Sequence, residues 1–215
     1  MSIIKLKMKG GCILAVNLTK GQKVDLTKGN AGLSKIMVGL GWDPVKKSGG
    51  GFLGGLFGGG NNHEIDCDAS VIMLGADGKI SRKQNVIYFG NLTSTCGSVK
   101  HMGDNLTGDG DGDDEQIFVD LKKVPSDIHR LVFVVNIYDC IKRKQDFGHI
   151  QNAFIRVVNT ANNQELVRFN LSDNYSGMTA LIAGEVYRYN NEWKFAAIGE
   201  GTKDPSLGDL VRRFQ

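Results

Sequence analysis

Apolar and polar residues alternate in short runs along most of the chain, and turn-forming residues separate these runs. Alternation of this kind, bounded by glycine, asparagine or aspartate, predicts β-strands rather than helices. We predict about ten strands, most of them in these segments: 17–26, 35–42, 65–74, 85–89, 116–121, 131–138, 153–158, 165–171, 185–189 and 193–198.

Three pairs of these segments flank turn signals, at 76–79, 160–163 and 190–191, and are expected to form hairpins. The segment 131–138 (LVFVVNIY) is apolar on both faces, which is typical of a central strand. Because no long helix separates the strands, the fold class is predicted to be all-β, a sandwich of two antiparallel sheets with a few short helices.

Two segments depart from the strand pattern. The tail 205–214 has Leu207, Leu210, Val211 and Phe214 at helical spacing, so a short C-terminal amphipathic helix is expected. The segment 49–60 (GGGFLGGLFGGG) contains eight glycines and is too rich in glycine for a regular element. It is interpreted as a flexible surface insertion, and the alternative is a mobile loop that presents its four apolar residues to a membrane or a partner.

The composition is that of a globular protein. With 215 residues and 41% hydrophobic residues, the chain is expected to form a single domain over 1–215. No apolar run is long enough for a signal peptide or a membrane span, so an intracellular, cytoplasmic protein is expected. The four cysteines form no CxxC pair, which favours buried free thiols. The net charge of +3 comes from dispersed bases, so nucleic-acid binding is an unlikely function.

The segment 103–115 (GDNLTGDGDGDDE) carries six acidic residues and no base. Such crowded like charge either stays solvated or converges on a hard cation, which prefers six to eight oxygen ligands when it is Ca²⁺. Asp109, Asp111 and Asp113 alternate with glycines, so the backbone can curl and offer carbonyl oxygens as well. Asn105 and Thr107 add neutral oxygens.

The spacing does not fit an EF-hand. A loop counted from Asp109 has Asp114 where glycine is required, and a loop counted from Asn105 has Gln116 where the bidentate glutamate is required. The flanking sequence also predicts strand rather than helix.

A second acidic pair, Asp66 and Asp68, lies on a predicted strand with its side chains on the same face. Solvent exposure is the simpler interpretation of this pair, and cation ligation is the alternative. Together with the acidic segment, the pair brings the number of carboxylates to eight, which is more than one ion uses. Two adjacent Ca²⁺ ions are therefore expected.

These residues resemble the tellurium-resistance, TerD-type stress-protein family of bacteria. The matching segments are LTKGQKVDLTKGN (18–30), VGLGWDP (38–44), DCDASVIML (66–74), GSVKHMGDNLTGDGDGDDEQIFVDLKKVP (97–125), LVFVVNIYDC (131–140), NAFIRVVN (152–159) and YRYNNEWKFAAIGEG (187–201). Cys67 stands where a bulky apolar residue is expected, and the glycine-rich segment 49–60 lies outside the shared motifs.

The resemblance implies a calcium-binding β-sandwich in a cytoplasmic protein, often near the inner face of the membrane, that is linked to resistance to tellurite and other chemical stresses. It places the family's calcium motifs on the acidic segment and on the Asp66/Asp68 pair. The candidate metal ligands are Asp66, Asp68, Asp104, Asn105, Thr107, Asp109, Asp111, Asp113, Asp114 and Glu115.

The leading hypothesis is thus a non-enzymatic stress-response module in which Ca²⁺ orders the acidic loop. The ordered loop is expected to engage a protein partner or a membrane surface. A metal-dependent phosphoester hydrolase with a dinuclear acidic site is the alternative, although its usual histidine ligands are dispersed here. Direct reduction of tellurite lacks a thiol pair or cofactor motif.

Basic and aromatic residues on the strands leave further alternatives open. Arg156, Arg168 and Arg188 have apolar neighbours and are expected to be solvated, to pair with acids or to bind an anionic partner. Trp42 and Trp193 are expected to pack in the core rather than to form a ligand surface.

Overall fold

The computed structural model describes residues 3–4, 7–9, 12–28, 30, 32–45, 65–103 and 112–215. Within these ranges the chain forms fifteen β-strands and two short α-helices. The strands are β1 (Ile3–Ile4), β2 (Lys7–Lys9), β3 (Cys12–Leu14), β4 (Val16–Leu18), β5 (Lys23–Asp25), β6 (Lys35–Pro44), β7 (Cys67–Leu74), β8 (Val86–Ile87), β9 (Val99–His101), β10 (Glu115–Asp120), β11 (Arg130–Ile137), β12 (Ile150–Asn159), β13 (Gln164–Asn170), β14 (Ala180–Tyr189) and β15 (Glu192–Thr202). The helices are α1 (Cys140–Arg143) and α2 (Leu207–Arg212).

Two large sheets pack face to face, so the predicted β-sandwich is confirmed. One sheet has the order β1-β5-β15-β14-β11-β7-β8, and the other has the order β4-β13-β12-β6-β10-β9. Both sheets are antiparallel except where β1 joins β5 and β4 joins β13. The predicted segment 17–26 contains most of β4 and all of β5, which belong to different sheets, so the turn between them carries the chain across the sandwich.

Two of the predicted hairpins form as expected, and the third is looser. Strands β12 and β13 pair directly, as do β14 and β15. The latter turn uses Asn190 and Asn191 at φ of 50° and 61°, a left-handed conformation that asparagine tolerates. Near Asp77-Gly78 the chain closes a tight turn, but β8 pairs with β7 through only Val86 and Ile87.

Strand β11 lies between β14 and β7, which confirms its predicted central position. Its inward residues, such as Phe133, belong to the main core between the two sheets. Its outward residues Val132 and Val134 are also buried, because α2 covers them in a second, smaller apolar cluster. Both faces of the strand are therefore covered, as its unbroken apolar sequence indicated.

The predicted C-terminal helix is confirmed as α2. Ser206 caps it by accepting a hydrogen bond from the Asp209 N–H at 3.2 Å. Leu210 is fully buried against the outer face of the seven-stranded sheet, with Leu207 and Val211 packed beside it. The helix thus converts one end of an otherwise exposed sheet face into a packed layer.

The glycine-rich segment 49–60 lies outside the described residues, so its predicted flexibility stays a prediction. Among the helices that the structure describes, none is long and apolar enough to cross a membrane.

We expect Leu210→Ala to lower the free energy of unfolding by about 2–4 kcal/mol, because it leaves a cavity beneath α2. Urea denaturation followed by circular dichroism measures this change. The exposed Lys203→Ala serves as the control and should change stability by less than about 0.5 kcal/mol. Equal stability of the two variants would show that α2 is not docked on the sheet.

Candidate functional site

The candidate metal ligands divide into two groups in the structure. The first group lies outside the described residues and comprises Asp104, Asn105, Thr107, Asp109 and Asp111. The second group is described and comprises Asp66, Asp68, Asp113, Asp114 and Glu115. The described residues show how the two ends of the acidic segment and the Asp66/Asp68 pair are arranged.

The Asp66/Asp68 pair lies at the start of β7 and is not solvent-exposed. Asp68 continues the outward-facing row of Ile72 on β7 and is only 4% exposed. Asp66, with a side chain that is 14% exposed, lies 3.4 Å from the Arg143 guanidinium of α1. The simpler interpretation, solvent exposure of both carboxylates, is therefore wrong.

Glu115 is the first residue of β10 rather than a loop residue, and it closes the free edge of β7. Its Oε2 accepts a hydrogen bond from the Ala69 N–H at 2.8 Å. His101 Nδ1 accepts the Gly103 N–H, so Nε2 carries the ring proton and lies 3.1 Å from both the Ala69 carbonyl oxygen and Glu115 Oε2. Two side chains of the β9–β10 hairpin thus satisfy backbone groups that no neighbouring strand reaches.

His101 was the histidine nearest to the acidic segment in sequence, and its ring is fully buried. Because both ring nitrogens hold backbone groups or Glu115, the ring fixes the start of β10 in place. A histidine that takes protons from a substrate needs a ring nitrogen that the substrate can reach, whereas the His101 ring is fully buried.

Asp114 directly precedes Glu115 in the acidic segment. Its Oδ2 accepts a hydrogen bond from the Trp42 N–H at 2.7 Å. Burial raises the pKa of Asp114 to about 6, and the nearby carboxylates of Asp43 and Asp113 add to this increase against the lowering effect of the Trp42 hydrogen bond. A cation bound near Asp114 would lower this pKa again, because a positive charge favours the ionised carboxylate.

The charges of four carboxylates act on the thiol of Cys67. Burial raises the pKa of this thiol well above its usual value, and the charges of Asp68, Asp66, Glu115 and Asp114 raise it further. Because Glu115 binds the N–H of Ala69, the residue after Asp68, the Asp66/Asp68 pair and the end of the acidic segment come together at the edge of the seven-stranded sheet. Within the described residues alone, no three His, Cys, Asp or Glu side chains form a metal-binding group.

Asp113 has a different arrangement from its neighbours. Its fully buried carboxylate forms two hydrogen bonds with the Arg156 guanidinium, at 2.7 and 2.8 Å, and a third with Gln116 at 3.3 Å. Gly39 makes this position possible, since a Cβ there would lie 2.2 Å from Asp113 Oδ1. Asp113 thus anchors the acidic segment to the outer face of the six-stranded sheet.

The arginine network continues across this sheet. Arg156 and Arg168 both bind Glu165, and the Arg168 guanidinium lies over the Phe154 ring at 4.2 Å. The ion-pair alternative is therefore confirmed for Arg156 and Arg168. Arg188 instead donates to backbone carbonyls, including that of Val124 at 2.6 Å.

Cys67, Cys96 and Cys140 are free thiols. Burial is confirmed for Cys67 and Cys140 but is wrong for Cys96, which is exposed in a turn. Both described tryptophans are buried, as predicted for core residues. Cys67 lies inward in the main core, so its role is packing.

Sequence reasoning missed two polar residues on the outer face of the seven-stranded sheet. Asn136 of β11 pairs in register with Asp68 of β7, and Ser70 is the next outward residue of β7. Asp68, Ser70 and Asn136 are all buried. The available signal was a single amide within the otherwise apolar LVFVVNIY, which is costly unless the amide has a partner.

The TerD domain model matches residues 14–214 of this chain. The chain belongs to the TerD domain family. It is 65% identical over 201 residues to stress response protein SCP2 of Bacillus subtilis (strain 168), covering 94% of this chain and all of that protein. It is 43% identical over 188 residues to tellurium resistance protein TerD of Serratia marcescens, covering 87% and 91% of the two chains.

The fold of this TerD domain is also similar to a crystal structure. That structure is of a homologue of telluride resistance protein (TerD) from Streptomyces coelicolor A3(2), with a TM-score of 0.61 and 21% identity. The match covers 82% of this chain and 95% of the other. At this identity the similarity supports the shared sandwich fold alone.

We expect Gly39→Ala to destabilise this TerD domain by about 1–3 kcal/mol, because the added Cβ overlaps the Asp113 carboxylate. A double-mutant cycle with Asp113→Ala, measured by urea denaturation, tests the cause. The glycine substitution should cost much less stability when Asp113 is already truncated. The same cost in both backgrounds would mean that the overlap with Asp113 is not the reason.

We further expect Glu165 to make stability depend on pH. Burial raises the pKa of Glu165, but hydrogen bonds and charges from Arg168 and Arg156 outweigh burial and lower it below the usual 4.5. The unfolded chain therefore takes up the proton at higher pH, so this contribution is present above pH 4.5 and is lost as the pH falls through the folded pKa.

Thermal melts between pH 6 and pH 3 measure this contribution. Relative to wild type, the Glu165→Gln variant should lose less stability on acidification. The exposed Glu200→Gln offers a matched control that should keep the wild-type pH dependence. Parallel curves for all three proteins would contradict the assignment.

Proposed function

We propose that this TerD domain is a calcium-binding, non-enzymatic stress-response protein. Two Ca²⁺ ions bind where the acidic segment meets the start of β7. The observation that carries the proposal is the hydrogen bond from the Ala69 N–H to Glu115 Oε2 at 2.8 Å, which brings the end of the acidic segment to the residue next to Asp68. Carboxylates gathered at one edge and removed from water repel one another, and a hard divalent cation offsets that repulsion.

The chemistry of the described residues fits Ca²⁺. The converging side chains are carboxylates, and the pKa of the Cys67 thiol is raised, so this sulfur stays protonated and is a poor metal ligand. An all-oxygen set favours Ca²⁺ or Mg²⁺ over zinc. Seven or eight ligands in a glycine-rich loop suit the larger and more adaptable Ca²⁺ better than the octahedral Mg²⁺.

Each residue of the site has a distinct role in this proposal. Asp68 and Asp66 supply carboxylates from the fixed edge of β7. Asp113 is held by Arg156 and anchors the segment, so the acidic residues before it are left to complete the coordination. The predicted ligands within 104–111 supply the remaining oxygens.

The role in stress resistance rests on kinship, because relatives are named for stress response and tellurium resistance. In this proposal Ca²⁺ orders the acidic loop in the cytoplasm, and the ordered loop engages a partner protein or the membrane surface. Ca²⁺ acts as a structural ligand here, since it binds the folded form and stabilises it by mass action.

Calcium should raise the melting temperature of the protein. At a free concentration about 100 times the dissociation constant, binding of one ion adds about 2.7 kcal/mol, which corresponds to roughly 5–10 °C for a domain of this size. Differential scanning calorimetry in CaCl₂, MgCl₂ or excess EGTA measures the shift, and isothermal titration calorimetry gives the stoichiometry.

Charge-neutralising variants locate the site. Asp109→Asn/Asp111→Asn should weaken calcium binding while keeping the Asp113–Arg156 anchor. The control Asp77→Asn/Asp127→Asn removes the same charge from exposed residues and should respond to calcium like wild type. A melting temperature that is the same in calcium and EGTA, or a loss of response in the control alone, would overturn the proposal.

A further inference from the structure

A cavity of about 1010 Å³ lies on the outer face of the seven-stranded sheet, beside α2. The cavity lies next to the apolar layer that α2 covers. One wall is a face of α2 that includes Leu207, Gly208 and Val211, and Val86 and Tyr88 contribute to the opposite side. Its size is at the upper end of pockets that hold metabolites, which measure about 300–1,000 Å³.

The floor of this cavity is polar although its surroundings are apolar. Asp68 and Asn136 both line it, and each is at least nine-tenths buried. Asn136 directs its Nδ2 toward Asp68 Oδ2 at 3.5 Å, and its Oδ1 has no hydrogen-bond partner among the residues that the structure describes. Ser70, the next outward residue of β7, is fully buried and does not line the cavity.

Buried polar atoms are normally satisfied, so an amide oxygen left unpaired at the floor of a cavity needs an explanation. An amide oxygen accepts hydrogen bonds only. The floor is therefore complementary to a group that donates hydrogen bonds, such as an amine or a hydroxyl.

The rim has the opposite character. Arg82, Lys83 and Arg212 line the cavity and are exposed, and the one exposed acid that also lines it, Asp139, lies 3.8 Å from Lys142. Arg212 pairs with Asp209, whereas Arg82 and Lys83 form no ion pair with any residue that the structure describes. A basic rim above an apolar wall favours a ligand with a negatively charged group at its outer end.

We propose that this cavity binds an anionic small molecule with a flat apolar body, whose hydrogen-bond-donating end lies on Asn136 and whose acidic group lies at Arg82 and Lys83. Tyr88, Phe89 and Tyr138 contribute aromatic surface for the ring. This site is separate from the proposed calcium function and needs no bound cation, although Asp68 borders both.

Three small probes test the proposed chemistry. The first, (4-aminobenzyl)phosphonic acid, carries a ring, an amine and an anionic group. Benzylphosphonic acid lacks the amine, and 4-methylaniline lacks the anion. Two-dimensional ¹H–¹⁵N NMR of the full chain follows the Asn136 side-chain amide and the backbone amides of α2 in EGTA, so that calcium does not contribute.

The complete probe is expected to saturate in the millimolar range, which is ordinary for a fragment of about a dozen heavy atoms. Each truncated probe should bind at least about threefold more weakly, because it loses the contact with the floor or with the rim.

Variants at Gly208 separate binding in the cavity from binding elsewhere. A Cβ at this position meets only Ser206 Oγ, at 3.6 Å, so a side chain there has room on the cavity face of α2. Gly208→Ala keeps the cavity open and improves helix propensity, whereas Gly208→Trp fills it. Binding should persist in the alanine variant and fall at least tenfold in the tryptophan variant.

Charge reversal tests the rim. Arg82→Glu/Lys83→Glu should abolish binding of the phosphonate probe, and Lys122→Glu/Lys123→Glu makes the same change on an exposed surface that does not line the cavity. Equal affinity in both reversal variants, equal affinity in both Gly208 variants, or no saturable shift with any probe would overturn the proposal. None of these results depends on whether calcium binds.

Discussion

Repulsion between carboxylates at one edge of the seven-stranded sheet is the constraint on which the rest of the site depends. Asp66 and Asp68 reach this edge along β7, and Asp114 and Glu115 reach it at the start of β10. Like charges at short range and low exposure are unfavourable unless something compensates them. Arg143 and backbone N–H groups compensate in part, and a divalent cation would complete the balance.

The acidic segment can approach this edge because its C-terminal end is fixed from two sides. Asp113 is held by Arg156 over Gly39, on the outer face of the six-stranded sheet. Glu115, two residues later, turns inward and binds the edge of β7 together with His101. Asp113 and Glu115 thus bind one sheet each. The C-terminal end of the acidic loop is therefore held in a fixed position. Rigid ends reduce the ordering that a cation must impose on the loop.

Most of the sandwich could be predicted from local pattern, whereas most of the site geometry could not. Alternation and the asparagine turn at 190–191 were enough for β14 and β15, and helical spacing was enough for α2. The contact between Glu115 and Ala69 of β7 depends on the packing of the two sheets, and the pairing of Asp113 with Arg156 depends on a neighbouring strand. Such contacts between distant segments leave no periodic signal, so the simpler interpretation of the Asp66/Asp68 pair, solvent exposure, was wrong.

Asp68 physically links the proposed calcium site and the cavity. It lies next to Ala69, which binds Glu115 of the acidic segment, and it also lines the floor of the cavity beside Asn136. A cation on Asp68 would draw its carboxylate away from the Asn136 amide and change the floor on which a ligand rests. If both sites are occupied in the cell, linkage requires that the cavity ligand change calcium affinity by the same factor by which calcium changes the affinity for the ligand. The cavity would then give a calcium-binding sandwich a means of responding to a small molecule.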